Sequence, residues 1–151
     1  MNRTIPLTLG IILTMAIMAA NAYSWGKFKT LKHEDGVLKI PVADISDGMA
    51  HYFKVAADDG IMVHFFVLKS SDGVIRAAID ACDVCFRSGK GYFQEGDVMV
   101  CTNCGRRFAS NRINEVKGGC NPAPLNRKIV GQNLIVSMAD INQNSWYCKF
   151  K

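Results

Sequence analysis

Two cysteine pairs constrain this chain more than anything else in it: Cys82-x-x-Cys85 and Cys101-x-x-Cys104, separated by fifteen residues. Each pair offers two sulfurs on one side of a tight turn, and two such turns bring four thiolates together tetrahedrally. Gly105, directly after Cys104, supplies the positive φ that lets backbone N–H groups face sulfur, and Gly89 and Gly91 give the first loop similar freedom. Six cysteines in an exported chain would ordinarily be read as three disulfides. The spacing argues instead for a metal or cluster held by Cys82, Cys85, Cys101 and Cys104. Zinc, a single iron and an iron–sulfur cluster all accept four thiolates, and spacing does not choose among them. A c-type haem is excluded, because Phe86 and Gly105 stand where the attachment motif needs His. A thiol–disulfide oxidoreductase using the same pairs is the third reading.

The N-terminus bears on the compartment. Met1-Asn2-Arg3 precedes an apolar stretch from Ile5 to Ala20, and Ala20-Asn21-Ala22 is a small-x-small pattern that suits signal peptidase. Residues 1–22 are expected to be a cleaved signal; an uncleaved anchor competes, although the stretch falls short of the roughly 20 apolar residues that span a bilayer. The expectation is an exported protein, periplasmic or extracytoplasmic and membrane-associated. Asn2-Arg3 is no twin-arginine pair, which implies export of an unfolded chain. Zinc acquired after export meets no difficulty on that route.

The remainder has room for one domain with a modest core. Residues 23–36 are polar and mixed in charge around Trp25 and Phe28, and are read as a loosely ordered, flexible entry segment. From residue 37 to residue 151 the chain reads as a single mainly β domain. Val37–Val42 alternates, Ala50–Val55 follows the Ser46-Asp47-Gly48 turn, and Ile61–Leu68 follows Asp58-Asp59-Gly60. The run "IMVHFFVLK" is almost wholly apolar and should be covered on both faces. "VIRAAID" then delivers Cys82, Met99–Cys101 delivers the second pair, and "KIVGQNLIVSM" reads as two strands broken near Gly131-Gln132-Asn133. No stretch keeps a helical period over three turns.

Between Cys82 and Lys128 stand eight Lys or Arg against four acids. That excess either offsets anionic thiolates or steers an acidic partner. "GRRFASNR" has one aromatic among its basic residues, but export argues against a nucleic-acid partner. His33, His51 and His64 are scattered and are read as structural, and Met49, Met62, Met99 and Met138 as packing.

The stretch "AIDACDVCFRSGKGYFQEGDVMVCTNCGRRFASNRINEVKGGCNPAPL" resembles the signature of the membrane iron-sulfur FtrD-like family: a strand into CxxC, a Gly-Tyr…Glu-Gly hairpin, a second CxxCG, then Gly-Gly-Cys-Asn-Pro-x-Pro-Leu. The resemblance implies an iron–sulfur electron carrier, exported or membrane-attached, associated in several systems with ferrous-iron uptake. Its partner would be a redox protein: a membrane permease complex or a periplasmic metal protein. It also implies that Cys82, Cys85, Cys101 and Cys104 are the ligands and that Cys120 is an additional cysteine. The layout is similar to Rieske ferredoxins as well, with Cys82 and Cys101 in the cysteine places and Cys85 and Cys104 where that family has His. The fold implied is a small sandwich or barrel-like domain with a Rieske-like or rubredoxin-like two-knuckle metal-binding subdomain, its loops spanning residues 82–125. All-sulfur ligation would lower the potential of a cluster relative to His ligation.

"GGCNPAPL" is read as a rigid lid: Gly118 and Gly119 permit a close approach, Pro122 and Pro124 stiffen the rest of the loop, and Tyr92 with Phe93 covers the site. Three roles are open for Cys120: a thiol beside the site, a disulfide with Cys148, or a ligand.

Overall fold

A computed structural model describes residues 26–151; the expected signal at residues 1–22 lies outside them. The described chain is mainly β. Its strands are β1 (Lys29–Thr30), β2 (Val37–Pro41), β3 (His51–Ala56), β4 (Met62–Lys69), β5 (Ile75–Ile79), β6 (Tyr92–Glu95), β7 (Val98–Cys101), β8 (Arg107–Ala109), β9 (Lys128–Val130) and β10 (Asn133–Ser137). A six-residue helix, α1 (Met138–Gln143), starts from Ser137, whose side chain accepts a hydrogen bond from the Ala139 N–H. None of the described helices is long and apolar enough to cross a membrane.

The strands form three small sheets, ordered β1-β3-β4-β5, β2-β10-β9 and β6-β7-β8. Strand β4 organises the molecule. Its side chains alternate across the sheet, as the two-residue period of a strand requires. Val63, Phe65 and Val67 enter one buried cluster with Leu38 and Ile40 of β2 and Leu134 and Val136 of β10. Phe66 and Leu68 enter another, with Tyr92, Met99, Cys82 and Cys101. The four-stranded sheet is therefore the middle layer, one face on the β2-β10-β9 sheet and the other on the cysteine-bearing subdomain. This is why "IMVHFFVLK" carries apolar residues at consecutive positions.

The entry segment differs from its sequence reading. Lys29 and Thr30 pair in parallel with Phe53 and Lys54, and the Leu31 N–H donates to the Lys54 carbonyl at 2.8 Å. Phe28 lies with its ring centroid 4.2 Å from that of His64, and 5.7 Å from that of Tyr52 in an edge contact. The exposed edge of β3 recruits this segment, since an uncovered strand edge presents free N–H and C=O groups. Strands β1 and β8, two and three residues long, are too short for alternation to signal them. The methionines divide: Met99 and Met138 are core residues, whereas Met49 and Met62 are exposed, against the packing role expected of them.

Candidate metal centre

Strand β5 ends at Ile79, and the chain continues through Asp80 and Ala81 into the first cysteine turn. There the Cys85 N–H donates to the Cys82 sulfur at 3.2 Å and the Phe86 N–H to the Cys82 carbonyl at 3.1 Å, closing the turn. The second turn grows out of β7. The Gly105 N–H donates to the Cys101 carbonyl at 2.9 Å, with Gly105 at φ +71°. Tyr92 of β6 lies opposite Cys101 in the ladder, so one hairpin fixes both.

All six cysteines are free thiols, and five of them converge. The sulfurs of Cys82, Cys85 and Cys101 lie within 4.8 Å of one another, and so do those of Cys85, Cys104 and Cys120. Cys82, Cys85 and Cys101 are buried, whereas Cys104 is exposed and Cys120 is half-buried. Burial pushes the Cys101 thiol up to about 12, while the Arg106 backbone N–H holds Cys104 below the ordinary thiol range. The Asn103 amide donates to the Cys85 sulfur at 3.4 Å. A set of free sulfurs gathered in two turns, with backbone and amide N–H groups aimed at them, fits a thiophilic metal ion or an iron–sulfur cluster.

The Cys120–Cys148 pairing does not form. Cys148 is buried in the cluster built on Val63 and Phe65, where its sulfur accepts the His64 backbone N–H at 3.3 Å. Cys120 belongs to the cysteine group instead, and the loop that carries it is clamped to β5. The Ile79 N–H donates to the Ala123 carbonyl at 2.8 Å, the Ala123 N–H to the Ala81 carbonyl at 2.9 Å, and Ala78 forms a bridge with Pro124. Gly118 and Gly119 take φ of +82° and +62°, and Pro122 is buried.

Tyr92 is fully buried and supports the site from within: its hydroxyl donates to the Cys120 carbonyl at 2.6 Å. Burial pushes its pKa far up, so it stays a neutral donor. Phe93, expected beside it as cover, points to the other face of β6 and is 44% exposed.

Sequence reading misses a charged group behind the inner sulfurs. Asp80 is fully buried, accepts the Tyr92 N–H at 2.8 Å, and faces the Lys151 ammonium at 3.0 Å and that of Lys27 at 3.9 Å. Asp80 and Lys151 border a pocket of about 10 Å³ with Cys82, Cys85 and Cys101. Asp80 carried a signal, its place two residues before Cys82; Lys27 and Lys151 carried none. The three histidines stay outside the metal-binding groups found among the described residues: His33 is exposed, His51 bonds to Asp47 at 2.8 Å, and His64 stacks on Phe28.

Among curated proteins none matches this sequence. Among solved structures, a Rieske monooxygenase acting on quaternary ammonium, CntA, crystallised with an inhibitor, is similar over 66% of this chain at 14% identity and a TM-score of 0.44. This chain spans 30% of the length of that one. The family model described as "Membrane iron-sulfur containing protein FtrD-like" matches residues 45–147, which include β3 to β10, both cysteine turns and the Cys120 loop. With more than two thirds of its length under that match, the chain belongs to the FtrD-like family of iron–sulfur containing proteins.

Proposed function

We propose that the protein is an exported one-electron carrier whose iron–sulfur group is held by Cys82, Cys85, Cys101 and Cys104. The observation that carries this reading is the gathering of the four knuckle sulfurs, buried at Cys82, Cys85 and Cys101 and open to solvent at Cys104. Membership of a family described as iron–sulfur containing favours iron and sulfide over zinc at these thiolates.

When bound, an iron–sulfur group supplies reversible one-electron redox chemistry. The chain's own residues hold and shield it. Cys82 and Cys101 anchor the dry end, Tyr92 stays protonated and fixes the loop above, and the pocket behind has room for about one water molecule rather than a substrate. Cys104 stands at the surface, where a partner approaches, and Arg106 beside it is exposed. That arrangement supports an acidic redox partner, either a membrane permease complex engaged in iron uptake or a periplasmic metal protein.

The test is anaerobic purification with iron, zinc and labile-sulfide analysis, visible absorption, and electron paramagnetic resonance before and after reduction. Brown protein containing iron and sulfide, with a resonance that appears or disappears on one-electron reduction, is the expected result. A colourless protein holding stoichiometric zinc would replace the reading with a structural zinc site. Metal-free protein with a reversible two-electron thiol titration would replace it with a thiol–disulfide oxidoreductase.

A further inference from the structure

Five sulfurs stand where four complete a site. Cys85, Cys104 and Cys120 lie within 4.8 Å of one another, on the solvent side of the buried Cys82 and Cys101. Cys104 sits on an exposed turn bounded by Gly105, whereas Cys120 sits on a loop with independent support. That loop is tied to the first cysteine turn through the Ala123 N–H and the Ala81 carbonyl, at 2.9 Å. It is held to the second hairpin through the Tyr92 hydroxyl and the Cys120 carbonyl, at 2.6 Å. Its own turn is closed by the Asn121 N–H and side-chain amide, both donating to the Gly118 carbonyl. Two thiols therefore reach the outer corner from different parts of the chain. Both border solvent, so one can replace the other without repacking the core.

We propose that the outer corner of the centre has two interchangeable ligands, Cys104 and Cys120, and that Cys120 takes over the outer metal position when Cys104 leaves it. The inference rests on the metal-centre reading above, and not on which metal is bound. In the exchange one metal–sulfur bond breaks at Cys104 and one forms at Cys120. Cys120 releases its proton on binding and Cys104 takes one up on leaving, and no electron is gained or lost. Such a corner gives the surface end of the site a ligand that can move aside for a partner while the inner sulfurs keep hold of the metal.

The full chain is purified anaerobically as Cys104→Ser, Cys120→Ser, the double variant, and Cys101→Ser, and iron and zinc per chain are measured. Each outer single variant should keep the parent's metal content, whereas the double variant and Cys101→Ser should lose it. A second reading avoids dependence on metal loading in the cell: cobalt(II) is titrated into reduced, metal-free protein and the sulfur-to-cobalt charge-transfer band is followed. Its intensity should be preserved in either outer single variant and fall in the double. Loss of metal and band intensity in Cys104→Ser with Cys120 intact would overturn the proposal. So would their loss in Cys120→Ser, which would make Cys120 an obligatory ligand, or their retention in the double variant. If the parent holds only zinc, the electron-carrier reading fails, and the same pattern of variants still decides the exchange.

Discussion

The Asp80 carboxylate faces the Lys151 ammonium at 3.0 Å, with the two side chains only 1% and 5% exposed. One pair thereby joins the strand that delivers Cys82 to the last residue of the chain. Lys151 also donates to the Gly89 carbonyl at 3.3 Å, and Asp80 accepts the Tyr92 N–H. Burial raises the Asp80 pKa, and the two lysines oppose that rise.

Replacing Lys151 with Met should destabilise the fold by about 3 kcal/mol, because removal of one partner leaves a buried charge that only the half-exposed Lys27 can offset. Asp80→Asn in the same chain should recover much of that loss, since an amide oxygen still accepts the Tyr92 N–H. Urea denaturation of both variants at equal metal content measures it. A single variant within about 0.5 kcal/mol of the parent would show the pair to be energetically idle.

Gly91 and Gly105 separate two reasons for glycine. Both have φ near +70°, but a Cβ on Gly91 would overlap the Asp80 carboxylate, whereas one on Gly105 meets nothing within 4 Å. Gly105→Ala should cost about 1–2 kcal/mol, the penalty of a left-handed backbone for an L-residue. Gly91→Ala should cost clearly more and disturb metal content, because Asp80 has no room to yield. Equal thermal midpoints for the two variants would contradict this.

The buried half of His64 lies near Lys27, Lys54 and Lys151, and its pKa is lowered from 6.5 to about 4, first by burial and then by those lysines. The unfolded chain therefore takes up this proton before the folded one as pH falls. The contribution of His64 to native stability is fully present above about pH 6.5, is lost as the pH falls from there to about 4, and changes no further below. His64→Phe, which keeps a ring against Phe28, should flatten the pH dependence of the urea midpoint across that window. Parallel curves for parent and variant would assign the acid sensitivity elsewhere.

Cys148 provides the control for the cysteine assignments. It is 3% exposed, packed in the core away from the other five sulfurs. Cys148→Ala should leave metal content unchanged and lower stability by about 1 kcal/mol through the small volume lost. Loss of metal from a folded Cys148→Ala protein would mean that the sixth thiol takes part in the centre.

The strands that alternate or run apolar over five residues or more were legible in the chain: β2, β3, β4, β5 and β10 lie within a residue or two of where periodicity puts them. The turn chemistry was legible too, because Gly48, Gly60 and Gly73 take φ above +80°. The hidden elements were those whose existence depends on a neighbour. Strand β1 forms only because β3 has an open edge, and Phe93 turns outward only because its neighbour Tyr92 turns inward.

By itself the sequence determined that this is a mainly β chain with two cysteine turns able to hold a metal, because spacing and two-residue alternation are local and survive without tertiary context. It could not assign Cys120 and Cys148, whose roles depend on which distant residues they meet. Only the tertiary structure decided that. The loop clamped to β5 brings Cys120 to the outer sulfurs, while the C-terminal turn buries Cys148 against His64. It also gathered Lys27, Asp80 and Lys151 behind the site from positions as far as 124 residues apart, since pairing a buried charge requires whichever partner the fold brings near.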